Sequence, residues 1–275
     1  MTKKTIEELI YTNLKPIGFF DSGVGGLSVL SRFKKVLPDE FTIYFGDTIH
    51  LPYGNKTKEE LIGYARKIMD FFQAKDVKAV IIACNTSSAQ AYDTIKDDYK
   101  FPIYPIIQCS AKAITSLKIK RIGVFATEAT VSSGKYTEEL KRYNPEIRVK
   151  EIAAKNWVGI VEGVSQNLEE DLKNIKYEVE EMLTFDPYRI VLGCTHYPYL
   201  MNELAKYAPK EIFLDPAEIF VKYVKNDLIK RNLLLPKILE QERAEKFYVS
   251  ANPEEFVEHA KIFYELKDFP TIVTL

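Results

Sequence analysis

Two stretches of the chain echo one another, and few folds accommodate both. Ile17-Gly18-Phe19-Phe20-Asp21 aligns with Ile122-Gly123-Val124-Phe125-Ala126. Val80-Ile81-Ile82-Ala83-Cys84-Asn85-Thr86 aligns with Ile190-Val191-Leu192-Gly193-Cys194-Thr195-His196. The internal spacings nearly agree, 63 residues from Asp21 to Cys84 and 68 from Ala126 to Cys194. Apolar strands ending in small residues recur in α/β proteins by chance. Two matched strand ends at matched spacing nevertheless favour duplication. Two similar lobes facing each other would set each Cys at the carboxyl end of a parallel strand, where open α/β sheets bind ligands.

The rest of the chain fits that architecture. Short apolar runs at 17–20, 41–45, 78–84, 103–107, 121–125, 147–152, 189–193, 212–214 and 247–249 are of strand length and are bounded by Gly, Pro or Asp. The stretches between them have helical length, the pattern of βα units around parallel sheets. Helices are predicted at 27–37, 87–99, 133–143, 168–183, 199–207, 217–231 and 253–266. A further one runs toward Gln73 and opens on Thr57 with Glu60, the spacing of a capping box.

Composition narrows the function. Lys and Arg number 38 against 39 Asp and Glu, a net charge of -1, so there is no basic field to make nucleic acid a main partner or to hold anionic lipid. No apolar run approaches a membrane span and the first residues lack a signal-peptide core, which predicts a cytoplasmic protein. Three cysteines without a secretion signal predict reduced thiols.

Asp21-Ser22-Gly23-Val24-Gly25-Gly26 follows a strand and precedes a helix, so its amides can face an anion. It matches neither a P-loop nor GxGxxG, and a tight βα turn capped by Asp21 is the alternative. Cys84 and Cys194 each sit where a strand meets a helix, a setting in which amides and the helix dipole favour thiolate. A single such Cys reads as a small buried hydrophobe; two, each followed by amide or hydroxyl side chains, read as chemistry. No CxxC or HxxxH spacing supports a metal site. Two thiols on opposite faces of an α-carbon suit inversion, one taking a proton as the other delivers one, with amides and Ser, Asn and Thr donors steadying the carbanion. Asp21 is placed either to hold a substrate ammonium or to act on the protonation of Cys84. His196 is placed to orient or protonate Cys194. Pro52-Tyr53-Gly54 is a fixed turn or a substrate-facing loop, Thr127 and Thr130 are caps or carboxylate donors, and Cys109, His50 and His259 read as structural.

Taken together, these segments resemble glutamate racemases of the aspartate/glutamate racemase superfamily. The resemblance rests on 20–27, Gly46-Asp47-Thr48, Pro52-Tyr53-Gly54, Ala83-Cys84-Asn85-Thr86, Thr127 and Thr130 before Ser133 and Tyr136, Val161-Glu162, and Leu192-Gly193-Cys194-Thr195-His196-Tyr197-Pro198, in order along most of the chain. It implies an α/β fold of two pseudo-symmetric flavodoxin-like lobes with the site in the cleft between them. Lobe A would be 1–107 plus 222–275, with lobe B, 108–221, inserted. It implies Cys84 acting on D-glutamate and Cys194 on L-glutamate, assisted by Asp21, Glu162 and His196. Asp21, Ser22, Pro52, Tyr53, Gly54, Asn85, Thr86, Thr127, Thr130, Thr195 and His196 would bind substrate. It further implies a homodimer without pyridoxal phosphate or metal, making D-glutamate for peptidoglycan and hence for cell shape.

The chain departs from the family in Gln108-Cys109-Ser110-Ala111, where many members have Glu-Pro-Gly, in Ala126 where Gly is common, and in a leading segment 1–14 with Ile6, Leu9 and Ile10 on one face. Aspartate or hydantoin racemases are the nearest rivals, and His196-Tyr197-Pro198 beside Thr195 favours glutamate. A non-catalytic amino-acid binder on this fold could dispense with one thiol; retention of both argues against it.

Overall fold

The computed structural model describes residues 11–235 and 244–275; Ile6, Leu9 and Ile10 lie outside them. Among the described residues, ten strands, β1 (Ile17–Asp21), β2 (Thr42–Gly46), β3 (Ala79–Ile82), β4 (Ile103–Pro105), β5 (Arg121–Ala126), β6 (Arg148–Ala153), β7 (Arg189–Gly193), β8 (Phe213–Leu214), β9 (Glu245–Val249) and β10 (Thr271–Ile272), form two sheets ordered β10-β9-β2-β1-β3-β4 and β6-β5-β7-β8. All strand pairings are parallel. Their intervening crossovers carry the helices that cover the faces.

The duplication read from sequence is visible as topology. β2-β1-β3-β4 in one sheet corresponds to β6-β5-β7-β8 in the other. In register, β1 pairs Phe20 with Ile82 of β3, and β5 pairs Phe125 with Leu192 of β7. Each central strand therefore delivers its neighbour's Cys to the same edge of its sheet.

The helices are α1 (Leu27–Val36), α2 (Lys58–Ala74), α3 (Asn85–Gln90), α4 (Tyr92–Ile95), α5 (Ile106–Thr115), α6 (Glu128–Ser133), α7 (Lys135–Tyr143), α8 (Trp157–Glu162), α9 (Leu168–Leu183), α10 (Met201–Leu204), α11 (Pro216–Lys230) and α12 (Pro253–Ala260). α2 opens on the expected capping box: Thr57 Oγ1 accepts from the Glu60 N–H, and the Glu60 carboxylate accepts from the Thr57 N–H. The chain leaves the first sheet after β4 through α5 and returns through α11, and these two helices pack on each other. One apolar cluster consequently runs through both sheets, from Phe19, Leu30 and Phe33 to Ile122, Val124 and Val191. Burying each such side chain contributes about 2 kcal/mol before entropy is charged against it, so the two sheets share a core as well as a cleft.

Several boundaries differ from the sequence reading. The run 103–107 is strand only to Pro105, because Ile106, Ile107, Ser110, Ala111 and Ile114 face the core at helical spacing and build α5. The helix expected over 87–99 starts at Asn85 and breaks at Ala91. That over 133–143 is preceded by α6, from which Gly134 separates it at φ 62°. Residues 197–200 form a 3-10 turn before the short α10, and α12 ends at Ala260. α8 and β10 had no signal long enough to read. Among the described residues, no helix is long and apolar enough to cross a membrane.

Candidate active site

The carboxyl ends of β1, β3, β5, β6 and β7 open on one cavity of about 400 Å³ between the sheets. Asp21, Ser22, Pro52, Tyr53, Gly54, Cys84, Asn85 and Thr86 line it from the first sheet's side, and Thr127, Glu162, Cys194, Thr195 and His196 from the second's. All the expected site residues except Thr130 thus share one lining. Thr130 is fully buried behind it, and its hydroxyl is bonded to those of Thr86 and Thr127 at 3.3 and 3.0 Å. It reaches the cavity through its neighbours.

Each thiol stands at the end of an apolar strand. Cys84 caps α3, accepting the Ser87 N–H at 3.4 Å. The sequence suggested that such amides would lower its pKa, and here the expectation is corrected. Burial outweighs the amide, and with the Asp21 carboxylate nearby the thiol is pushed up to about 12. Cys84 therefore rests protonated. Cys194 instead sits 3.7 Å from His196 Nδ1, and the opposite ring nitrogen, Nε2, meets Glu162 Oε1 at 2.8 Å. Burial works against the imidazolium, but bonds to Cys194 and Glu162 prevail and raise His196 to about 10. The two thiols are thus held in unlike electrostatic settings, one beside a carboxylate and one beside a cation.

Asp21 is buried, with Oδ1 accepting the Gly23 N–H at 3.0 Å and Oδ2 without a hydrogen-bond partner among the described residues. Burial lifts it to about 6, against the lowering effect of the Gly23 amide and of His196. Asp21 thus caps the turn with one oxygen, as one of its readings had it. The glycines of the turn serve close approach, since a Cβ on Gly25 would overlap the side chains of Thr195 and His196. Ser28, the second residue of α1, donates to the Thr195 carbonyl at 3.1 Å. Tyr53 donates to Asp47, which also accepts from Ser250 at 2.8 Å and lies 2.8 Å from His50 Nδ1. His50, read as structural, therefore supports the loop that carries Tyr53.

The lining residues that sequence reasoning missed are mainly 153–158, the exit of β6 into α8. Trp157 is fully buried there, its indole donating to Glu178 at 2.6 Å, while the Lys155 N–H donates to the same carboxylate at 2.9 Å. Asn156 at φ 56° donates to Asp171. The strand at 147–152 was legible, and its carboxyl end was the available pointer. Cys109, read as structural, lies in α5 outside the cavity lining.

A cavity between duplicated parallel sheets, with a thiol from each, is the setting of an amino-acid isomerase, and comparison with known proteins agrees. The chain belongs to the Asp/Glu/hydantoin racemase family, whose model matches residues 27–224, and within it to the glutamate racemases. It is 38% identical to glutamate racemase of a Picosynechococcus species, over 90% of this chain and 87% of that one. With the enzyme of Lactobacillus acidophilus it shares 35% identity over 91% of this chain and 94% of the relative. The crystal structure of Francisella tularensis glutamate racemase in complex with D-glutamate superposes with a TM-score of 0.86 at 30% identity, covering 95% of this chain and 98% of that one.

Proposed function

We propose that this chain interconverts L- and D-glutamate by a two-base mechanism in which Cys84 and Cys194 are the opposed acid and base. The observation that carries the reading is that thiols from corresponding strand ends of the two sheets line one cavity, with acceptors and donors for an amino acid around them.

In the L-to-D direction Cys194, 3.7 Å from His196 Nδ1, is the base that takes the α-proton of L-glutamate. Cys84, protonated by burial, gives its proton to the opposite face and leaves D-glutamate. The sulfurs end with their protonation exchanged, ready for the reverse reaction. Asp21 Oδ2 is available to the substrate ammonium, and Thr86, Thr127, Thr195 and the Asn85 amide offer donors to its carboxylates. Thr130 acts by holding the two threonine hydroxyls rather than by direct contact.

The lobe division 1–107 with 222–275, and 108–221, belongs to the same reading. Its limits fall within α5 and α11, the two crossing helices. So do a cytoplasmic homodimer and a role in supplying D-glutamate for peptidoglycan. The test is to incubate the purified protein, with no cofactor added, with L-glutamate and separately L-aspartate in D2O. Optical rotation and α-hydrogen exchange are followed. Loss of rotation with deuterium uptake for glutamate alone supports the proposal; exchange with neither, or with aspartate alone, overturns it.

A further inference from the structure

Tyr136 is outside the cavity lining, yet it touches both thiol loops. It is fully buried on α7, and burial raises its hydroxyl well above the usual phenol range, so it is an O–H donor at any working pH. That O–H donates to Asn85 Oδ1 at 2.7 Å. Asn85 immediately follows Cys84 and lines the cavity, and its amide nitrogen is buried with no hydrogen-bond partner among the described residues. On the other side, the Tyr136 ring lies so close to Gly193, the residue before Cys194, that a Cβ there would stand 2.9 Å from Cε2.

An asparagine amide has two faces that differ only in which end donates. With a partner for neither end, it can present its carbonyl or its N–H groups to a ligand. With the Tyr136 hydroxyl placed on Oδ1, the carbonyl end is occupied and the NH2 end is left over. Leaving that buried NH2 unpaired is costly in the empty protein, and a ligand carboxylate removes the cost. We infer that Tyr136 is a positioning residue which, by holding Asn85 through Oδ1, reserves the Asn85 amide N–H groups for a carboxylate of the substrate. The inference rests on the proposed amino-acid substrate. It assigns a function to a residue of the sequence motif that the two-thiol mechanism leaves unused.

Tyr136→Phe keeps the ring that packs against Gly193 and removes only the donor. The expected result is a KM for glutamate raised about tenfold in both directions, the worth of one well-placed hydrogen bond. kcat should change little, and the thermal midpoint should fall modestly, because the buried Asn85 Oδ1 loses its donor. Asn85→Ala should raise KM comparably, and adding Tyr136→Phe to it should then cost nothing more, because there is no amide left to orient. Racemisation by the unaltered protein establishes the substrate reading separately. Against that active background, unchanged KM in Tyr136→Phe would overturn the inference. So would a loss that persists undiminished in the Asn85→Ala background, which would make Tyr136 a packing residue only.

Discussion

Gly25 and His196 come from opposite sheets and meet with no room for a methyl group between them. The first precedes α1 in one sheet's leading turn, and the second follows the Cys194 strand in the other. Beside them Ser28 bonds the Thr195 carbonyl, and one turn on, Arg32 pairs with Asp215 at the start of α11. The position of the Cys194 loop is thus set by the lobe that carries Cys84.

Gly25→Ala should therefore displace the Thr195-His196 segment without unfolding the protein. A shift near 1 Å at a reacting group costs on the order of 100-fold. Steady-state racemisation should show that loss, while the far-ultraviolet circular dichroism spectrum stays unchanged. Activity within a factor of two of the parent would show that the contact does not position the thiol.

Cys84→Ser and Cys194→Ser should each lower kcat by about 100- to 10,000-fold, the worth of a general acid–base group, since a serine hydroxyl is a far weaker acid. Polarimetry on each variant checks this. Near-normal turnover by either one would remove the two-base proposal.

The raised pKa of Asp21 gives a stability signature of definite sign. The folded value, about 6, lies above the usual carboxylate value, so folding favours the protonated form. The contribution is fully present below the unfolded pKa and is lost as pH rises through 6, at a cost of about 3 kcal/mol once the group is ionised. Asp21→Asn should be more stable than the parent at pH 8 and lose that advantage by pH 4, as read from urea midpoints. The same ionisation readies Asp21 for a substrate ammonium, so kcat/KM of the parent should rise with pH through about 6 and that of the variant should be low throughout.

Trp157 is the sole tryptophan of the chain and lines the cavity. Its indole is tied to Glu178, so emission should report both on the ligand and on this tie. D-glutamate should alter the fluorescence of the parent. Glu178→Ala should shift the emission and destabilise the fold by about 1–3 kcal/mol, the cost of stranding buried donors. An unshifted spectrum in Glu178→Ala would mean that the carboxylate does not hold the β6 exit.

Much of this molecule was legible in its sequence because the repeat carried both fold and site. β1, β3, β5 and β7 end in residues whose type announces their position, and the Thr57–Glu60 box marked α2. What escaped was decided by context. Ile106 and Ile107 continue an apolar run but turn into α5 because their inward face is set by α11, an element more than a hundred residues away. The lowered pKa expected of Cys84 overlooked how completely the fold would bury it beside Asp21. Residues 153–158 enter the cavity through Glu178 and Asp171 of α9, ties that no local pattern encodes.

The matched strand orders of the two sheets also bear on what kind of property chirality is here. On the proposed two-base mechanism each sheet owns one reacting sulfur, and one sulfur suffices to exchange a proton on the face it can reach. Inversion needs the second, at a fixed distance and on the far side. Handedness is thus stored in neither half but in the gap between them, and whatever loosens that gap should first yield an enzyme that labels its substrate without turning it over.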